Sequence, residues 1–540
     1  MTRKIALYLL VLKYSHKLKG HSSIDGLLTD DSMLYQYNEL GRTKTMTPEG
    51  GQTVIYEYDY ESSDPNIKKV RRLLNIRKGS DTFAYGYEDV NPLVRSLTRP
   101  NGSFTEYEYN DPLKRLAALI NKKSSQELIN SFARTYYTAS ARTDLVETET
   151  ITNGEAIDNF VAGTKTYTNN NLNQTTATTN PNQTYTYDGD GNMTTGYTPE
   201  GYALTMTYDA ENRMKSAEYA DSNSVVHRTE YTYSGDSFLA EMKKFENGSL
   251  VNDTRYVRGG FLPIQERDGN NAITREYVWG QNLGGGIGGL LNLRQGGSDY
   301  AYLYDGKGNV SSLLDPLQTI VAAYAYDPFG VLMKKTALID QPYMFSTKEY
   351  DPETGLSYFG YRFYNASTGK WTTRDPLGEA GGYNLYGFVG NSAMNWIDSW
   401  GLVSLETSIS GDFTKFDPRP EDPEGVPLTI QTRVKPDSLS KKDAGGPFTS
   451  SDVYVVYKED SKSYGPKGAY IYVDPKRQQN IHGGGSCPDN NMNDPLLPRQ
   501  GWCKTRGCTR GQNEDVQELA RRILDFQFRH PGAKIPYSRY

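Results

Sequence analysis

Three cysteines occur in this 540-residue chain, all in its last tenth: Cys487, Cys503 and Cys508. Cys508 lies in Lys-Thr-Arg-Gly-Cys-Thr-Arg-Gly at 504–511, and His482 lies upstream in Asn-Ile-His-Gly-Gly-Gly-Ser-Cys at 480–487. Several chemistries compete for these residues. A metal site is disfavoured, because one His and three Cys at these spacings lack the paired C-x2–4-C or H-x3–5-H knuckles of a zinc centre. A lipase-like reading of His-Gly-Gly-Gly-Ser lacks the G-x-S-x-G nucleophile elbow. In an oxidising compartment a Cys487–Cys503 disulfide would contribute about 3 kcal/mol by loop-closure entropy and leave Cys508 as the odd, reactive thiol. What remains is nucleophilic chemistry. A thiol of pKa about 8.5 is only slightly ionised at neutral pH, so an imidazole such as His482 is needed to take its proton and later return it to a leaving amine. Gly507 and the amides beside Cys508 would aim N–H groups at the oxyanion of an acyl intermediate.

The elements that would position these residues read as a small sheet and one helix. Segments 452–459 and 468–475 alternate apolar and polar residues, as strands do. Segment 513–528 has Asn513 as a cap, Glu514 and Asp515 in the first turn, and Val516, Leu519, Ala520 and Ile523 at helical spacing. Cys508 then sits on a loop before a helix N-terminus, where the dipole favours a thiolate.

The rest of the chain has a different character. Aromatic residues make up 12% of it, with 43 tyrosines, a composition that builds strands. A Tyr-x-Tyr-Asp core followed by a Gly- or Asn-rich turn recurs at 184–196, 205–219, 302–316 and 323–334, with looser copies at 55–62, 104–116 and 228–237. Within each pair of copies the spacing is about twenty residues, the mark of a repeat architecture. Each unit predicts strand, turn, strand, with aromatics on one face; since a single hairpin is marginal, successive units are expected to add edge to edge into one long sheet. The turn Asp-Gly-Asp-Gly-Asn at 188–192 has calcium-loop alternation, but the matching turn at 305–309 puts Lys307 where a second acid would stand, so the turn reading prevails.

Charge divides the chain. The first 402 residues carry 39 Lys+Arg against 47 Asp+Glu, and the remainder 20 against 18. Neither part has the dense basic face of a nucleic-acid binder, so nucleic acid is expected not to be a partner. No apolar run approaches 18 residues, so no membrane span is expected.

The repeats resemble the YD-repeat (Rhs) family, whose units coil into a hollow β-shell around the C-terminal part of the same chain. The resemblance covers residues 30–402 and is reinforced by 356–402, Leu-Ser-Tyr-Phe-Gly-Tyr-Arg-Phe-Tyr through Asp-Ser-Trp-Gly-Leu, which looks like the Rhs core motif. It implies an N-terminal segment over 1–29, a shell over 30–355 and the core motif over 356–402. It also implies aspartyl self-cleavage by Asp375 and Asp398 between Leu402 and Val403, with Arg374 tuning the pair. Two such carboxylates share a proton, one activating water and the other protonating the carbonyl. Ser399 stands where the family usually has proline. Beyond Leu402 such chains carry variable cargo, here a linker over 403–449 and an effector over 450–540.

That effector resembles the L,D-transpeptidase (YkuD-like) family through Ile481-His482-Gly483, Thr505-Arg506-Gly507-Cys508-Thr509-Arg510 and Asn513-Glu514-Asp515. The resemblance implies Cys508 as nucleophile, His482 as base, Gly483 and Gly507 as backbone contributors, and Thr505, Arg506 and Arg510 at the substrate. Arg506 replaces the family's usual histidine, and the long His-to-Cys interval fits a lid closed by Cys487 and Cys503. The expected fold is mainly β, a coiled shell followed by a small β-rich α+β domain. The expected function is a polymorphic toxin, secreted or at the cell surface, whose released effector acts without cofactor or metal on peptidoglycan stem peptides in the periplasm of a target cell. Its partners would be an immunity protein and secretion components. The alternatives are a surface adhesion or carbohydrate-binding protein without catalysis, and a toxin with a nucleic-acid target.

Overall fold

The computed structural model describes most of residues 31–401 with their side chains. Outside that stretch it describes the backbone of strands: His21–Ile24 before it, and nine strands between Glu406 and Arg539 after it. The described strands run in sequence order through sheets of 11, 3, 14 and 4 strands, each strand hydrogen-bonded to its predecessor, and a nine-stranded sheet lies beyond residue 405. The fold is the mainly β, coiled-sheet shell that the sequence predicts. Among the described residues the strands fall into separate sheets, where one continuous sheet was expected.

The Tyr-Asp dipeptide explains the repeat. After the hairpin strand the aspartate carboxylate closes the turn by accepting N–H groups two and four residues on: Asp209 from Glu211 and Arg213, Asp305 from Lys307 and Asn309, and Asp327 from Phe329 and Val331, all at 2.8–3.0 Å. The tyrosine before it reaches back to the preceding hairpin. Tyr208 donates to the Met193 carbonyl at 2.8 Å, Tyr233 to Met214 at 2.7 Å, Tyr304 to Leu290 at 2.5 Å and Tyr326 to Val310 at 3.0 Å. The same bond recurs at Tyr58, Tyr87 and Tyr136. One residue thus makes the turn and its neighbour ties that turn to the last one. The turn at 188–192 follows the rule, with Asn192 donating through its backbone and side chain to Asp188 and Gly191 at φ +86°.

The two large sheets pack against each other. Arg99 donates to the Tyr302 carbonyl at 3.1 Å and Asn121 to the Tyr304 carbonyl at 3.1 Å, some 200 residues away in sequence. One apolar core runs from Met33, Ile76 and Phe83 to Tyr277, Leu293 and Tyr302, and a second joins Met193, Leu204 and Tyr231 to Leu356, Tyr358 and Phe363. The four-stranded sheet over Glu349–Trp371 closes the array, with Phe359, Tyr364 and Trp371 fully buried around Phe388.

In the tail, Tyr454–Tyr457 and Ala469–Asp474 form where strands were expected and pair antiparallel, and the nine-stranded sheet draws strands from both sides of residue 450. The helix expected over 513–528 lies outside the described residues.

Candidate active site

The closing block carries a cluster of buried charge next to residues 398–401, the last described with their side chains. The Phe363–Asn365 strand pairs with Leu356–Tyr358 and with Lys370–Trp371, which sets Arg362 under the segment 398–401. The Arg362 side chain is 2% exposed and stacks 4.2 Å from the Trp371 ring. Its Nη2 lies 2.9 Å from the Asp375 carboxylate and 3.8 Å from that of Asp398, both buried. Its Nε donates to the Gly401 carbonyl at 2.7 Å. A single guanidinium therefore holds both aspartates and the backbone one residue before Leu402.

Other groups fix the same segment. Asp398 accepts the Trp400 N–H at 3.0 Å, so it caps its turn as well as facing Arg362. Trp400 packs on Phe261 at 4.9 Å, and its carbonyl accepts from the Tyr361 N–H. Lys348 donates to the Ser399 carbonyl at 2.8 Å and to the Gly285 carbonyl at 2.7 Å. Burial pushes the Lys348 ammonium down to about 7, with the Asp398 carboxylate acting against that fall. Lys307, the residue that argues against a calcium loop, donates to the Trp396 carbonyl at 2.9 Å, and burial likewise pushes it down to about 7.

The structure thus brings Asp375 and Asp398 together across 23 positions of sequence. Arg374, the expected tuning residue, is exposed and lies against the turn at Gly191, so the chain neighbour of Asp375 faces away from the pair. Arg362, which stands in the Tyr-Arg-Phe-Tyr tract and was not among the expected site residues, is the arginine that contacts both carboxylates. Lys348, between Thr347 and Glu349, carries no sequence signal. Leu402 lies outside the described residues.

In the tail, the strand Gln479–His482 runs parallel to Thr509–Gly511, with Ile481 opposite Thr509 and His482 opposite Arg510. Gly483, Cys487, Cys503, Thr505, Arg506, Gly507 and Cys508 lie outside the described residues. Among the described residues no helix is long and apolar enough to cross a membrane, and no three His, Cys, Asp or Glu side chains gather as a metal site.

A Tyr-Asp sheet closed by a block with paired aspartates is similar to Rhs-type toxin proteins, and the comparisons with known proteins point the same way. No family model matches the chain. It is 27% identical over 203 residues to the tRNA3(Ser)-specific nuclease WapA of Bacillus spizizenii, covering 36% of this chain and 8% of that protein. It is 23% identical over 236 residues to double-stranded DNA deaminase toxin A of Burkholderia cenocepacia, covering 39% and 16%. Against the probable deoxyribonuclease RhsA of Dickeya dadantii it is 26% identical over 219 residues, covering 40% and 13%. The chain spans less than a fifth of the length of these relatives. The crystal structure of TcdB2-TccC3 without its hypervariable C-terminal region superposes with a TM-score of 0.50 at 19% identity, covering 70% of this chain and 22% of that one, which shows the fold.

These relatives correct two expectations. They are named for acting on tRNA and DNA, which overturns the cysteine acyltransferase reading of Cys508 and His482. They equally overturn peptidoglycan stem peptides as partner and the exclusion of nucleic acid. Both errors have a physical source. Ile-His-Gly and Gly-Cys are short loop signals that many chemistries share, and net charge summed over 138 residues is blind to where individual cations cluster.

Proposed function

We propose that this chain is the shell and cargo portion of an Rhs-type toxin, that it cuts itself between Leu402 and Val403, and that the freed C-terminal region acts on nucleic acid. The cut is supported by one observation above all: Asp375 and Asp398, buried, share the Arg362 guanidinium, which also binds the Gly401 carbonyl. In an aspartyl cut one carboxylate of such a pair serves as base and the other as acid. The base takes a proton from water as the water oxygen bonds to the Leu402 carbonyl carbon. The acid gives its proton to the carbonyl oxygen. Collapse then breaks the C–N bond, the Val403 nitrogen takes up a proton, and a new carboxyl remains on Leu402. Intact mass is the test: the purified chain resolves into 402- and 138-residue species, and Asp398→Asn stays whole. A wild-type chain that remains a single species rejects the cut.

The nucleic-acid target is supported by the relatives, and His482 and Arg510 are the residues whose side-chain chemistry suits it. Imidazole exchanges protons near neutral pH, and guanidinium pairs with phosphate in bidentate fashion. Incubating the cut protein with tRNA and with duplex DNA, and reading strand scission by gel and base change by mass, tests this. Modification by wild type that is lost in His482→Ala and Arg510→Ala supports the assignment; both substrates left intact by wild type reject it. A toxin so armed calls for an immunity protein in its producer and for an export route.

A further inference from the structure

We propose that Lys348 is a positioning residue for the cut, holding the segment that enters the scissile bond at the height of the aspartate pair. The inference rests on the self-cleavage reading above. Lys348 is 1% exposed, its ammonium sits 4.7 Å from the Phe261 ring and 5.4 Å from the Phe359 ring, and it bridges the carbonyls of Gly285 and Ser399. An apolar side chain would fill that aromatic space without the cost of desolvating a charge. A nitrogen donor is needed because two carbonyls from stretches more than 100 residues apart converge there, and the ammonium holds them more strongly than the neutral amine would. One of them belongs to the residue between Asp398, which supplies a carboxylate, and the Trp400–Gly401 backbone that leads into the cut.

The approach on the far side is equally tight. Gly285 has φ +50°, and a Cβ there would stand 1.9 Å from the Ser399 oxygen. Only glycine lets that backbone pass close enough for one amine to serve both carbonyls. The charged groups around Lys348 are Asp398 on the exit segment, and Glu349 and Arg258, which share with it the cavity lined by Phe261, Trp279 and Tyr343.

The test follows cutting of the full-length chain by intact mass over time, from pH 5.5 to 9. Lys348→Met is expected to slow the cut on the order of a hundred-fold, the effect of a misplacement near 1 Å. Gly285→Ala, which keeps the amine and displaces Ser399, is expected to slow it comparably. In the wild type the rate falls as pH rises through about 7, where the ammonium loses its proton; Lys348→Arg, with a permanent charge, is expected to retain cutting and carry that fall upward by more than one unit. A purely structural lysine would leave the pH profile unmoved. Lys348→Met and Gly285→Ala cutting at the wild-type rate overturn the proposal, as does a Lys348→Arg profile that falls where the wild type does. Should Lys348→Met fail to fold, the other two variants decide. Failure of the underlying reading is recognised separately: a wild type that never cuts, or an Asp375→Asn chain that cuts normally, rejects self-cleavage itself.

Discussion

Replacing Arg362 by methionine tests the closing block most directly. The side chain is nearly inaccessible, lies 2.9 Å from Asp375 and 3.8 Å from Asp398, and is stacked on Trp371. Methionine of similar length takes the guanidinium away from two buried carboxylates, and breaking a buried pair in this way costs about 3–5 kcal/mol. The lost guanidinium–indole contact adds roughly 2 kcal/mol when desolvated. Together these remove a large part of the 5–15 kcal/mol typical of a folded domain. Arg362→Lys separates charge from geometry. An ammonium restores a cation, but it lacks the separate Nε and Nη2 donors with which the guanidinium reaches the Gly401 carbonyl and the carboxylates at once. The expected order of urea midpoints is wild type, then Lys, then Met, whereas both variants lose the cut in the intact-mass assay. Arg362→Met with an unshifted midpoint would refute the buried ion pair, and either variant cutting at the wild-type rate would refute the role of the fork.

Two further outcomes follow from the shell. Tyr208→Phe removes the half-buried phenol that donates to the carbonyl of buried Met193, and the stranded acceptor should lower stability by about 1–3 kcal/mol, read as a lower urea midpoint at unchanged secondary structure. Glu349 is pushed up to about 7, chiefly by burial, although Arg258 opposes the rise and Tyr256 donates to its carboxylate. With a folded value above the unfolded one, its contribution is complete below about pH 4.5 and is lost as pH rises through about 7. Glu349→Gln should therefore flatten the decline in thermal midpoint between pH 5 and 8, and an unchanged slope would show that another group governs it.

What could be read in the sequence was what the chain repeats. Tyr-x-Tyr-Asp announces strand and turn because alternation and turn chemistry act over a few residues, and the aspartate bonds at 209, 305 and 327 are local. The tyrosine's bond to the preceding hairpin spans about 14–20 positions and was invisible until the register was known. Asp375 and Asp398 were singled out through the block that contains them, and the fold sets both at Arg362. Arg362 was not singled out, because an arginine between Tyr361 and Phe363 looks like any strand residue until the closing sheet carries it beneath residue 401. Lys348 offered still less, since a lone lysine in a mixed stretch reads as a solvated side chain, and only the convergence of two distant carbonyls makes its burial tolerable.

That contrast bears on how one cut can be made in a chain built from copies. A turn device works wherever it recurs, so a cleavage site assembled from Tyr-Asp units would recur too. The groups at the exit are drawn instead from separate stretches around 285, 348, 362, 375 and 398, joined by Lys348, Arg362 and the closing core of Phe359, Tyr364 and Trp371. None of these contacts is local, and the hold on Ser399 needs the loop at 285, which follows the 14-stranded sheet's strand Ile273–Trp279. On the proposed reading, the two carboxylates meet their guanidinium only once the last sheet has closed on the earlier ones. Cutting would then lag behind formation of the shell, and a chain whose Phe359–Trp371 packing is disrupted would stay whole even with Asp375, Asp398 and Arg362 all present.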